Sequence, residues 1–307
     1  MNAVAQLPDA VTGASRRDDA VRRLARNPTV VFGVAVLALI VVMALCAPWL
    51  ANFDPAAINP SFRNKLPGAM ETVGLSEGSK TEVRHWMGTD SLGRDIASRV
   101  VYGARASLIV GVSVAVLSIS IGLVIGLAAG YLRALDGVVM RLMDGLMAIP
   151  AILLAIAVVS LSSAGLVAVI IAIVVPEVPR VVRLVRSIVL SVREEPYVEA
   201  AVAVGTPTVL LVIRHILPNT LPPLIVQATY ICASAILIEA ILSFLGIGIP
   251  SQTPTWGNIM AEGRTLFRVF PHNILYPGIF LALTVLAVNL LGDGLRDTLD
   301  PRMRKRL

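Results

Sequence analysis

Along most of this chain apolar residues run in long unbroken stretches, separated by shorter charged segments. A helix rises about 1.5 Å per residue, so about 20 apolar residues cross the roughly 30 Å hydrocarbon core of a bilayer. Inside that core every backbone amide has to bond within its own segment, which makes the helix the natural crossing element. Six stretches approach the required length: Val30 to Leu50, Ala106 to Gly130, Gly145 to Leu161, Ala164 to Val182, Thr220 to Leu245 and Tyr276 to Leu291. The pattern predicts an all-α integral membrane protein with six transmembrane helices. Ser162 and Ser163 leave so little chain between the third and fourth that those two form a tight pair.

The segments between the spans set the organisation. Residues 1–29 form a tail carrying Arg16, Arg17, Arg22, Arg23 and Arg26, and residues 30–50 form the first span. That apolar run exceeds the 7 to 15 residues typical of a signal peptide, and Leu45 rather than a small residue precedes Cys46, so an uncleaved anchor is expected rather than a signal peptide or lipoprotein site. Residues 51–105, with Pro60, Pro67, Gly68 and Gly74, are too polar for lipid and too short for a large domain. They are expected as an extracytoplasmic loop with a short interfacial helix, followed by a permease-like core over 106–292 and a tail over 293–307. Six spans put both termini on one face. That face holds 17 of the 26 Lys and Arg residues, which predicts cytoplasmic termini.

Composition agrees with the pattern. The chain is 56% hydrophobic and 15% charged, with a mean hydropathy of +0.80, where soluble domains carry about one quarter charged residues. A net charge of +6 would raise the question of nucleic acid in a soluble protein. Here the basic residues flank apolar runs, so membrane lipid is the expected partner and nucleic acid is not. Cys46 and Cys232 sit singly in apolar runs, and His85, His215 and His272 are scattered, so neither a disulfide nor a metal site is expected.

Residues 194–219, between the fourth and fifth spans, carry the most distinctive local chemistry. Pro196 suits a first helical turn, Gly205 a left-handed stop, Thr206 a cap and Pro207 the first position of a second helix, which Pro218 and Asn219 would end. Two short helices with a corner could seat in a groove of a partner, with Ala200 and Ala201 allowing close approach and Glu199 supplying a charge. A solvated linker fits the same local chemistry equally well.

Glu199-Ala200-Ala201, then Gly205, then Leu217-Pro218 resemble, in residue types and spacing, the EAA motif of permease subunits of ATP-binding-cassette (ABC) importers. The run His215-Ile216-Leu217-Pro218-Asn219 is similar to the dipeptide, oligopeptide and nickel branch, although many members of the wider superfamily carry Ile where His215 stands. The stretches His85 to Asp95 and Asn289 to Asp297, with Asp300-Pro301-Arg302, resemble the C-type subunit of that branch. The resemblance implies a type I importer permease fold in a bacterial inner membrane and makes Glu199 to Gly205, with His215 to Asn219, an ATPase-coupling elbow. It also implies a second homologous permease in a heterodimer, two ATP-binding subunits that hold ATP and Mg²⁺, and an extracytoplasmic substrate-binding protein. No cofactor is expected in this chain itself. Dipeptides, longer peptides, glutathione and chelated nickel all remain open as cargo.

Other residues invite a role. Asp90 with Arg94, and Asp95 with Arg99, have i, i+4 spacing for ion pairs, which makes either a structural collar beside the external gate or a substrate contact. Gly122, Gly126 and Gly130 follow Ser118 at four-residue intervals, the small-xxx-small pattern of closely packed membrane helices and, alternatively, of a moving gate surface. Glu239 lies inside the fifth span, where a charge costs several kcal/mol, so it lines the translocation path or makes an interhelical hydrogen bond. Glu177, between Pro176 and Pro179, pairs most economically with Arg180 or Arg183 and is given no transport role. The mixed charges Asp293, Arg296, Asp297, Asp300 and Arg302 anchor the last span or brace the ATPase.

No Gly-Lys pair occurs anywhere, hence no G-x-x-x-x-G-K-[ST] phosphate loop, so ATP hydrolysis falls to another polypeptide and this chain is not itself an enzyme. The rival reading is an ion-coupled secondary transporter or channel working without an ATPase. It calls for repeated halves or broken midplane helices and leaves the elbow unexplained.

Overall fold

A computed structural model describes residues 27–74, 80–161 and 165–299. The arginine-rich tail, Ser162 and Ser163, and Asp300 to Arg302 lie outside the described residues. Asn27 opens the first helix, α1 (Pro28–Leu45): its side chain accepts from the Thr29 amide, and Pro28 sits in the first turn, where no intrahelical N–H is needed. One further turn, Ala47–Leu50, leaves Trp49 82% exposed.

The loop that follows is built differently from the expectation. It holds an antiparallel hairpin of β1 (Ala69–Gly74) and β2 (Lys80–His85), with Ala69 opposite His85, and its helical structure among the described residues before Ile96 is a single 3-10 turn, Pro60–Phe62. Gly88 and Gly93 do turn the chain, at φ of +79° and +81°. At Gly93 a side chain would collide with the Asn59 carbonyl. The next helix, α2 (Ile96–Tyr131), starts well before Ala106, because Asp95 caps it: the carboxylate accepts from the Ser98 amide at 2.7 Å. An apolar boundary marks where lipid begins, whereas a cap marks where a helix begins.

The third expected span is also interrupted. Amphipathic α3 (Arg133–Met147) meets α4 (Ala151–Ser160) at a bend of 88°. Pro150 has no N–H to donate and disfavours helical geometry at Ile149, which breaks the rod there. The remaining helices are α5 (Leu166–Val192), α6 (Pro196–Ala203), α7 (Thr208–Phe244), α8 (Trp256–Gly263) and α9 (His272–Leu299).

Among the described residues, α1, α2, α7 and α9 are each long and apolar enough to cross a membrane, and the bent pair α3 and α4 makes a fifth candidate. α5 has the length of a span, but Glu177, Arg180, Arg183 and Arg186 lie on its body. The crossings therefore differ in kind and are not six equivalent apolar rods.

Helices α2 and α5 form the centre. Gly122, Gly126 and Gly130 are buried against α5, where an added Cβ would come within 2.5, 2.6 and 2.7 Å of the Cβ atoms of Val181, Val185 and Val189. Equal four-residue steps on both helices mean that they run parallel and in register. In lipid, helices associate by such close packing rather than by a difference in hydrophobicity. A second, smaller core joins α1, α2 and α8 through Ile40, Ile96, Val100, Trp256 and Ile259.

Candidate functional site: an exposed elbow and a buried collar

α5 ends at Val192, and the chain enters α6 with Pro196 in the first turn, as the local chemistry predicts. Gly205 then stops α6 at φ +82°. Its amide bonds the Val202 carbonyl at 2.9 Å, and the Thr206 amide bonds the Ala201 carbonyl at 3.1 Å, the paired closing bonds of a Schellman stop. The exit departs from expectation. Thr206 makes no cap, and Pro207 takes the N-cap position of α7.

Pro218 and Asn219 do not end the second helix of the elbow. A π-helical segment, Val212–Ile216, carries the chain through to Leu217 and on without interruption to Phe244. The wider turn accommodates Pro218, which has no N–H for the α-helical ladder. The elbow is therefore one short helix set at a corner against the near end of a long one.

Three of its residues fix that corner. The Asn219 amide Nδ2 donates to the His215 carbonyl at 2.6 Å and to the Tyr197 hydroxyl at 3.1 Å, and the Tyr197 and His215 rings lie 6.2 Å apart. His215 and Asn219 thus hold α6 in place, with Val198 buried beneath it. Glu199 and Ala200 face outward and Ala201 is half-buried. Around them Val202, Val204, Val209 and Ile213 are 56%, 86%, 70% and 56% exposed. Glu199 also borders an open hollow of about 460 Å³ with Gly130, Arg133, Asp136, Arg193 and Glu194.

The other charged constellation lies at the far end of α2. Asp90 and Arg94 pair as expected, Nε to Oδ2 at 2.7 Å, in a turn rather than on a helix. Asp95 and Arg99 do not pair. Asp95 is engaged as the cap and by His85 Nδ1 at 2.8 Å, while His85 Nε2 meets Glu71 at 2.9 Å and the ring stacks on Phe53. Arg99, fully buried, turns to Glu262 of α8 at 3.3 Å and to Asp90 at 3.8 Å, and Arg94 bonds the same Glu262. Burial pushes the Glu262 carboxyl above the usual carboxylate range, and Arg99 and Arg94 oppose that rise.

Sequence reasoning missed Glu262, Glu71 and Trp256. Trp256 is fully buried and donates from Nε1 to the Val100 carbonyl at 3.0 Å, which docks α8 on α2. The available signal was Thr255 with Asn258 three residues on, which form a reciprocal capping box at the start of α8.

Glu239 is wholly buried in α7. Ser243 donates to its Oε1 at 2.8 Å, and the hydroxyls of Thr255 and Ser107 flank the carboxyl from α8 and α2. The Ser243 bond lies within α7, Glu239 Oε2 and Ser107 Oγ have no hydrogen-bond partner, and no atom of Glu239 reaches the surface of the chain. Asp293 accepts from the Tyr230 hydroxyl at 2.6 Å, joining α9 to α7.

Parallel close-packed helices thus lead into an exposed apolar elbow. Residues 118–305 match the family described as binding-protein-dependent transport system inner membrane component, and residues 15–67 match the N-terminal TM domain of oligopeptide transport permease C. The chain is 50% identical to a probable peptide ABC transporter permease protein, y4tQ, of Sinorhizobium fredii, over 93% of each chain. It is 40% identical to the dipeptide transport system permease protein DppC of Alkalihalophilus pseudofirmus, over 96% of this chain and 93% of that one. A solved structure of the MetNI methionine ABC transporter in an inward-facing conformation shares the fold, with a TM-score of 0.54 at 21% identity, over 65% of this chain and 96% of that one. The chain belongs to the family of binding-protein-dependent transport system inner membrane components. It is a membrane-embedded subunit that works with ATP-binding and substrate-binding partners.

Proposed function

We propose that this permease carries a di- or oligopeptide across the inner membrane, paired with a second homologous permease and driven by two ATP-binding subunits that hold ATP and Mg²⁺. An extracytoplasmic binding protein delivers the cargo, and both termini face the cytoplasm. The names of the relatives support a peptide cargo. The observation that carries the coupling role is the elbow: a Schellman-stopped helix, braced by Tyr197, His215 and Asn219, that presents Val202, Val204, Val209 and Ile213 to solvent. Side chains of that kind, beside a charged hollow, fit a protein cleft better than water.

Closure of the ATPases on ATP would push or pull α6, and the register of α2 against α5 would transmit the movement into the span region. The test is purification of the whole complex, carrying Gly205→Asp or Val204→Asp, from cells supplied with its ATPase partners. Loss of the ATPases from the complex together with peptide uptake supports the role. Full uptake by both variants contradicts it.

A further inference from the structure

Three arginines point from the body of α5, and two of them lie at membrane depth with much of their surface open. The register with α2 gives the depth. On α2 no charge falls between Arg105 and Arg133, and Gly122 faces Val181. Arg180 is therefore level with Ile121 and Arg183 with Val124, about 18 and 14 Å from Arg133 at about 1.5 Å per residue. The run is about 42 Å long, and a hydrocarbon layer about 30 Å thick centred on it takes in both residues.

Neither is placed to escape to the near interface. Cβ atoms on a helix tilt toward its N-terminus, and α5 runs parallel to α2 toward the elbow, so these side chains leave the backbone leaning away from the nearer surface. Arg180 reaches further the same way: its Nη1 donates to Glu177 Oε1, one turn deeper, at 2.9 Å. Glu177 is 1% exposed, and the Ser234 hydroxyl of α7 approaches the same carboxylate, so the anchor of Arg180 is fixed. Yet Arg180 and Arg183 have 47% and 51% of their side-chain surface open. A guanidinium in contact with lipid at this depth is costly, so such surface faces water or protein.

Each arginine spends little of its capacity. Arg180 gives one hydrogen bond to Glu177 and Arg183 gives one, from Nη2, to Asp144 of α3 at 2.6 Å, out of five donors each. Arginines three residues apart on one helix are neighbours and can share a planar anion, for which the guanidinium fork is matched. Cations already paired with carboxylates hold a passing anion weakly, which suits a path in which cargo has to leave as well as enter.

From this we infer that Arg180 and Arg183 line the inner half of an aqueous translocation path and bind the carboxylate of the passing solute. The inference rests on the peptide reading above and adds the part of the cargo that is recognised and the residues that recognise it. Glu177 acts as a positioning residue for Arg180.

The test uses the complete complex in vesicles, with Cys46 and Cys232 replaced by Ser and Arg180→Cys or Arg183→Cys introduced. A membrane-impermeant thiol reagent is expected to label both positions. A tripeptide with a free carboxylate should slow labelling at least threefold, whereas its C-terminal amide should not. If both positions stay unlabelled the inference is overturned. If anionic phosphatidylglycerol in the vesicles slows labelling as the peptide does, with no peptide present, the ligand is a lipid phosphate and the inference is overturned as well.

In parallel, Arg180→Gln should lower peptide uptake about tenfold with the complex still assembled, and Arg180→Lys should recover part of it. Loss of the complex itself in Arg180→Gln would show a structural role and overturn the inference. Wild-type vesicles that take up no peptide refute the cargo reading on which it rests. Wild-type uptake with unchanged uptake in Arg180→Gln refutes this inference alone.

Discussion

The collar and the elbow occupy opposite ends of the α2 and α5 pair and solve opposite problems. In the collar, charge is buried and paired within the chain: Asp90, Arg94, Arg99 and Glu262 form one ion-pair cluster in which Arg99 keeps Nε and Nη1 without a hydrogen bond, His85 lies between Glu71 and Asp95, and Trp256 is fully enclosed. In the elbow, apolar side chains are left uncovered by the rest of the chain, with Val204 86% exposed. The collar draws its ion-pair partners from this chain alone. In the elbow, internal bonds fix the shape of α6 without covering its face, which on the function proposed above is half of an interface.

If that contrast holds, substitutions at the two ends should fail in different ways. The largest effect is expected in the collar. Arg99→Leu strands Glu262 and Asp90 near a buried apolar group, and breaking a buried pair costs about 3 to 5 kcal/mol. Thermal unfolding of the detergent-solubilised complex should show a large fall in midpoint, or the chain should fail to accumulate. Trp256→Ala should be similar, at about 3 to 5 kcal/mol, by emptying the space between α8 and α2. A normal midpoint in both would mean that the collar is not a structural unit.

Next comes Gly126→Val at the α2 and α5 seam, where a Cβ already meets Val185 at 2.6 Å. Overpacking of this kind costs about 1 to 3 kcal/mol. Reduced stability together with reduced uptake is expected, and paired Gly126→Ala with Val185→Ala should recover much of the loss. If the single variant behaves as wild type, the glycines do not set the approach of the two helices.

The smallest stability change is expected in the elbow. Val204→Asp replaces a side chain in open solvent, so the midpoint should shift by no more than about 0.5 kcal/mol equivalent. ATPase recovered with the complex should nevertheless fall at least tenfold. A variant that unfolds the chain while keeping its ATPases would reverse the contrast drawn here.

The sequence revealed the membrane class and the elbow because both depend on local rules. Apolar runs follow from bilayer thickness, and Pro196 and Gly205 carry fixed backbone preferences that the structure retains. The EAA register added the partner, which local chemistry had left open between docking and a linker.

What the sequence did not reveal depends on tertiary context. Asp95 with Arg99 has good helical spacing, but Asp95 is consumed as a cap and by His85, so Arg99 finds its partner in Glu262, far along the chain. Pro218 ordinarily ends a helix. Here a π-helical segment lets α7 run through it, and nothing in the adjacent residues announces that choice. Glu239 posed a clear question, path or tie, that only the positions of Ser243, Ser107 and Thr255 in three dimensions addressed.

The most direct measurement is a cross-link from the elbow in native membranes. A Val204→Cys chain carrying a short thiol-to-amine reagent should form one major adduct, with an ATP-binding subunit, and its yield should change when ATP is trapped on the complex. An elbow that yields no such adduct, while the complex still imports its cargo, would contradict its assignment as the point where the motor grips the permease.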